Sequence, residues 1–137
     1  MKFPEKYIKR GRKKLHSGSI TDIFYDVNSL ITEDFYVRCL LDNIPDSGHY
    51  IGIATGGAII ARLVSWIRGK KFSMIKDGEL KGDLPTGNYI LVDDIVTTGA
   101  SLEEALEIMG RSPSGIYVCV DRRPKNENPQ VYSIFEK

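Results

Sequence analysis

Two adjacent aspartates, Asp93 and Asp94, end an apolar run in the stretch YILVDDIVTTGAS, residues 89–101. Neighbouring carboxylates repel, and burying either without a partner is costly. Two kinds of ligand suit such a pair: a diol, whose hydroxyls donate to the carboxylate oxygens, or a metal ion. Successive strand residues point to opposite faces, so both acids reach one ligand only where a strand gives way to its loop. That loop holds Thr97, Thr98, Gly99, Ala100 and Ser101, followed by a helix-like pattern. Free amides at a helix start bind phosphate. A diol site beside a phosphate cradle describes a ribose 5-phosphate. The plainer alternative is a capped strand–loop–helix turn, with Asp and Thr as turn formers. No lysine follows the glycine, so this is not a Walker A loop, and no GxGxxG opens the first strand–helix turn.

The elements that must position these residues follow from periodicity. ITDIFYDV (20–27), YIGIA (50–54), FSMIK (72–76), YILVD (89–93), GIYVCVD (115–121) and VYSIF (131–135) read as strands. Helices are predicted over 33–43, with Thr32 as cap, and over 58–68, buried on most sides. Leu102, Ala105, Leu106 and Met109 give the i, i+3, i+4, i+7 stripe of a third helix, which Gly110 closes. Residues 77–88 read as a loop. Strands that alternate with helices, several of them continuously apolar, predict one α/β domain with a parallel sheet covered on both faces. In such sheets ligands bind beyond the carboxyl ends of the strands. The expected division is an N-terminal arm and hood over 1–30 and a core over 31–137.

The chain has 137 residues, 42% hydrophobic and 27% charged, enough for a real core. No apolar run approaches the ~20 residues that span a bilayer. The first residues lack the apolar segment of a secretory signal. Cys39 and Cys119 stand alone, which points to buried thiols in a reducing, cytoplasmic setting, and no ligand spacing for zinc occurs. Net charge is +1, but residues 1–14 hold seven Lys/Arg against Glu5 alone, leaving 12 basic and 17 acidic residues elsewhere. That basic arm reads as a solvated segment, or as a contact for phosphate-bearing substrate or RNA.

ILVDDIVTTGAS resembles the phosphoribosyl pyrophosphate (PRPP) signature of type I phosphoribosyltransferases. The resemblance implies that Asp93 and Asp94 hold the ribose hydroxyls and that Thr97 to Ser101 hold the 5-phosphate. IGIATGGAIIA (51–61) resembles the family's pyrophosphate loop, which assigns Thr55, Gly56 and Gly57 to the pyrophosphate. Three stretches are similar to the orotate branch. LHSGSITDIFYD (15–26) implies that Phe24 and Tyr25 pack beside the base; ordinary strand core is the alternative for both. VDRRP (120–124) implies that Arg122 meets the orotate carboxylate, with Arg123 a solvated companion. MIKDGELKG (74–82) occupies the place of the mobile catalytic loop, with Lys76 matching and Lys81 standing in for a second lysine. The departures are His16 where the branch has lysine, Ile75 where it has arginine, and a shortened loop.

The resemblance therefore implies a Mg2+-dependent transfer of phosphoribose from PRPP to a nucleobase, orotate foremost, with pyrophosphate released. It implies an oxocarbenium-like transition state, a homodimer whose 74–88 loop completes a neighbouring site, and closure of 77–88 as a lid. No protein metal-ligand set, membrane or nucleic-acid partner is implied. A transferase for another base, such as a purine, and a non-catalytic PRPP-binding regulator remain the competing readings.

Overall fold

The computed structural model describes residues 1–14 and 20–137. A 3-10 turn (Glu5–Tyr7) leads into β1 (Ile8–Lys14) and β2 (Ile20–Tyr25). These are followed by α1 (Val27–Leu30), α2 (Asp34–Asn43), β3 (His49–Ile53), α3 (Gly56–Arg68), β4 (Lys71–Lys76) and β5 (Glu79–Lys81). The chain ends with β6 (Ile90–Val96), α4 (Ala100–Met109), β7 (Gly115–Asp121) and β8 (Tyr132–Phe135). Six strands form one sheet in the order β5-β4-β3-β6-β7-β8. It is parallel except at β5, which runs antiparallel to β4. β1 and β2 make a separate antiparallel hairpin.

Period-2 alternation divides the core. Tyr50, Ile90 and Val92 pack with Leu40 of α2 and Ile60 and Val64 of α3. Ile51, Ile53 and Leu91 face the other way, toward Leu102, Ala105 and Met109 of α4. Both faces of the sheet are therefore covered, as continuous apolar strands require.

Several expectations are corrected. The basic arm is exposed, as a solvated segment would be, at Lys2, Lys6, Lys9 and Arg10, but it is ordered: Ile8–Lys14 is a strand paired with β2, whose run of charged residues hides it from an apolar pattern search. Asp26 ends β2 early by accepting from the Ser29 amide and capping α1. Thr32 caps nothing in α2, because its hydroxyl donates to the Ser29 carbonyl. α3 starts at Gly56, inside the expected loop, and it is not buried on most sides, since Trp66 is 71% exposed and Ile59 and Ile67 are exposed as well. Cys119 is buried, but Cys39 only half so. Gly110 does close α4, in the left-handed region at φ 71°.

The 77–88 stretch is not a single loop. Asp77 and Gly78, at φ 52° and 75°, form a two-residue turn between β4 and β5, with Lys76 opposite Glu79. Residues 82–88 then run back to the amino end of the sheet. There Ser73 donates to the Asp83 carbonyl and Arg111 to the carbonyls of Pro85 and Gly87. Of the lid expected over 77–88, residues 82–88 are therefore tied at the amino end, and only the β4–β5 turn lies near the carboxyl end.

Candidate active site

β6 outruns β3. Pairing with β3 ends at Val92, opposite Gly52, whereas pairing with β7 continues through Asp93, Ile95 and Val96. Asp93 and Asp94 thus lie within the strand rather than at its end, with their β3 side open. The start of α3 fills that opening. A Cβ on Gly57 would lie 2.5 Å from the Val92 carbonyl oxygen and 2.7 Å from the Asp93 Cα, and one on Gly56 would collide with the Asp94 carboxylate. Glycine is required here because backbone meets backbone. The positive end of the α3 dipole therefore meets the two acids.

Asp93 is 7% exposed. Its Oδ1 accepts from the Asp94 amide at 2.8 Å, and Asp94 Oδ1 accepts from the Ile95 amide at 2.8 Å. Burial pushes the Asp93 carboxyl up to about 8, and the hydrogen bond and charge of Asp94 push the same way. Burial beside a second carboxylate thus disfavours the charged form of Asp93, and donors from a ligand would favour it.

β6 passes into the Thr97–Gly99 turn. Gly99 sits at φ 91° and is the cap residue of α4, with Thr98 Oγ1 accepting from the Ala100 amide at 3.3 Å. A pocket of about 40 Å3 there is lined by Asp93 and residues 95–102. A second cleft, of about 200 Å3, lies between the α3 start, the β4–β5 turn and α4. Thr55, Lys76, Asp77, Ser101 and Glu104 are among its lining. An apolar groove of about 550 Å3 shares Thr55 and Lys76 with it and continues along Ile59, Arg62, Phe72 and Met74. Chain reversal thus brings together Thr55, Gly56, Gly57, Lys76, Asp93, Asp94 and Thr97–Ser101.

Lys81 is not brought in. It lies across from Met74, on the returning strand, and pairs with Glu79 at 2.7 Å. Tyr25 and Arg122 meet: the guanidinium carbon lies 5.6 Å from the ring centroid. Phe3 holds the ring edge-on at 5.1 Å, and the Arg122 amide donates to the Val96 carbonyl, fixing the segment beside β6. Phe24 is half-buried, and strand alternation sends it to the opposite face of the hairpin from Tyr25. His16, Ser17 and Gly18 lie outside the described residues.

Arg123 departs most from expectation. It is 6% exposed rather than solvated. Its Nε donates to Asp121 Oδ1 at 3.0 Å, and its Nη2 donates to Asp121 Oδ2 at 3.1 Å and to the Pro129 carbonyl at 2.9 Å. Burial works to raise the Asp121 carboxyl, but the hydrogen bonds and charge of Arg123 outweigh it and hold it below its ordinary value. The cause is a local turn: β7 ends at Asp121, and the Arg123 amide donates to Asp121 Oδ1 at 3.1 Å, which brings the Arg123 side chain onto the same carboxylate. Glu104 and Asp77 were also missed, because only the fold brings α4 beside the β4–β5 turn.

No family model matches the chain. The orotate phosphoribosyltransferase of Methanothermobacter thermautotrophicus is 30% identical over 131 residues, covering 84% of this chain and 73% of that protein. Transcriptional regulator GfcR of Methanoculleus marisnigri is 28% identical over 113 residues, covering 69% and 54%. Among solved structures, that of orotate phosphoribosyltransferase from Aeropyrum pernix superposes with a TM-score of 0.71 at 27% identity, covering 85% of this chain and 77% of that one. On sequence identity, coverage and fold together, this chain belongs to the orotate phosphoribosyltransferase family.

Proposed function

We propose that the chain transfers the 5-phosphoribosyl group of PRPP to orotate, forming orotidine 5′-monophosphate and pyrophosphate. The observation that carries this is the meeting of two helix starts, α3 and α4, on either side of the Asp93–Asp94 pair. In this reading the acids accept from the ribose hydroxyls. The Thr97–Ser101 amides and hydroxyls hold the 5-phosphate, and Thr55, Gly56, Gly57 and Lys76 hold the pyrophosphate. Arg122, steadied on Tyr25, offers its planar fork to the orotate carboxylate.

Displacement at C1 by a ring nitrogen builds positive charge on the ribose and negative charge on the leaving pyrophosphate. No strong nucleophile is needed; positioning and charge neutralisation do the work. Among the described residues no cluster of three or more His, Cys, Asp or Glu could hold a metal. Two carboxylates beside an anion cleft nevertheless fit Mg2+ carried in by substrate oxygens, which needs few protein ligands. Bound there, it would neutralise pyrophosphate charge. Lys81 has no part in this scheme, and water exclusion cannot come from residues 82–88. A homodimer belongs to the same reading, with the exposed Ile59, Trp66 and Ile67 of α3 as its covered face.

The similarity to a transcriptional regulator favours one alternative, PRPP binding without transfer. The deciding assay supplies PRPP and Mg2+ with a panel of bases and follows pyrophosphate release. Release with orotate alone is expected. Release with adenine or hypoxanthine instead would move the acceptor to the purines. Tight PRPP binding with no release for any base would leave the regulator.

A further inference from the structure

Among the described residues, one buried donor in the site region has no partner: Arg123 Nη1. The other side-chain nitrogens of Arg123 are engaged by Asp121 and Pro129 on the edge away from α4. Nη1 faces Gly99, where an added Cβ would lie 3.3 Å from it. The Asp121–Arg123 pair is therefore a buried dipole whose positive end backs the turn that starts α4. Within a protein such a charge is weakly screened, and a fixed one costs no reorganisation when an anion arrives.

We infer that Arg123 is a positioning residue for the phosphate subsite, charging the Thr97–Ser101 turn from behind so that it accepts a phosphate dianion. This rests on the ribose 5-phosphate reading of that turn. Arg123 is not a contact residue, because the pocket on the open side of the turn is lined by Asp93 and residues 95–102 alone. It also explains the side-chain choice. Any arginine braced through Nε and Nη2 carries Nη1 as well; what marks this one is that Nη1 is buried without a partner against the turn rather than turned to solvent. Lysine could not replace it, since one ammonium cannot span Asp121, Pro129 and Gly99 in a plane.

Ribose 5-phosphate binding measured by calorimetry tests this without any turnover. Arg123→Gln should weaken binding tenfold or more and flatten its dependence on ionic strength. Asp121→Asn should do the opposite. It removes the counter-charge, leaves the guanidinium in place and should tighten binding several-fold, even though both variants lower the melting temperature. A structural brace predicts the same sign for both. Equal affinity in Arg123→Gln and wild type, or weakened binding in both variants, overturns the inference and leaves the function standing. Absence of ribose 5-phosphate binding in the wild type overturns both. Should Arg123→Gln not fold, Asp121→Asn decides alone: affinity that fails to rise refutes the charge effect.

Discussion

The two ends of the central sheet treat their polar groups in opposite ways. At the amino end, buried His49 and Ser73, half-buried Arg68 and exposed Arg111 are all hydrogen-bonded within the fold. His49 Nε2 lies 2.8 Å from Ser73 Oγ, which donates to the Asp83 carbonyl. Arg68 donates to the Tyr50 hydroxyl and to the carbonyls of Pro45 and Leu41. Arg111 clasps Pro85 and Gly87. At the carboxyl end, Asp93 is buried against another carboxylate and Arg123 keeps an unpartnered nitrogen. α3 runs between the two, with Gly56 at the open end and Arg68 at the closed one. One end commits its polar groups to the fold, and the other keeps a buried carboxylate beside a second one and a guanidinium nitrogen without a partner.

The sharpest way to break that contrast is to remove the acids. Replacing Asp93 and Asp94 together with alanine should cost at least a hundredfold in PRPP affinity, as expected for two charge-assisted hydrogen bonds at about 1.5–3 kcal/mol each. Stability should move the other way. A carboxyl raised to about 8 binds a proton folded that it loses unfolded, so the wild type loses stability as pH rises from the ordinary carboxyl range toward 8. Asp93→Asn, which never ionises, should therefore melt higher than wild type above pH 8. Undiminished PRPP affinity in the double variant, measured by calorimetry, would remove the diol assignment.

Arg122→Ala probes the base side of the same end. Losing one charge-assisted contact of about 1.5–3 kcal/mol should lower kcat/KM for orotate roughly ten- to hundredfold. PRPP binding should hold, since ribose and phosphate lie elsewhere. Wild-type turnover of orotate by this variant would shift the carboxylate contact to another residue.

How far the sequence reveals these features depends on how local they are. The six strands that the apolar pattern marks, the acid pair and the turn before α4 are written in consecutive residues and appear where the pattern places them, within a few positions; β1 and β5, which lack that pattern, do not. The β4–β5 hairpin was also locally legible: Asp77–Gly78 between Ile75–Lys76 and Glu79–Leu80 is a hairpin signal, but likeness to a mobile loop masked it. The roles of Arg122 and Arg123 were not separable by composition. The turn of the Arg123 amide onto Asp121 separates them, and the return of the chain at Pro129 confirms which is buried. The tethering of residues 82–88 by Arg111 and Ser73 joins positions far apart in sequence, which no local pattern encodes.

The closed end yields the next effect. Arg68→Ala removes donors to three acceptors and should cost about 2–3 kcal/mol in urea unfolding, since hydrogen bonds from a charged group exceed neutral ones. PRPP affinity should not change. A loss of PRPP affinity comparable to the loss in stability would mean that α3 transmits strain from one end to the other, and the two ends could no longer be treated as independent.

The smallest effect concerns His49, and it reverses the pH trend of Asp93. The Ser73 hydroxyl hydrogen is used on Asp83, so Nε2 is the donor in the His49–Ser73 bond. Burial lowers the His49 pKa from 6.5, and the charges of Lys71 and Arg111 lower it further, with Asp83 opposing. Folded, the ring binds fewer protons than it does unfolded. Its contribution is therefore complete above about 6.5 and drains as pH falls through the folded value. The wild type should lose melting temperature on acidification from pH 7 to 5, and His49→Gln should show a shallower slope even if its starting value is lower. PRPP affinity should follow Asp93 and ignore His49. If His49→Gln leaves the acid slope unchanged, that slope belongs to other groups, and the amino end contributes nothing to the pH response of this fold.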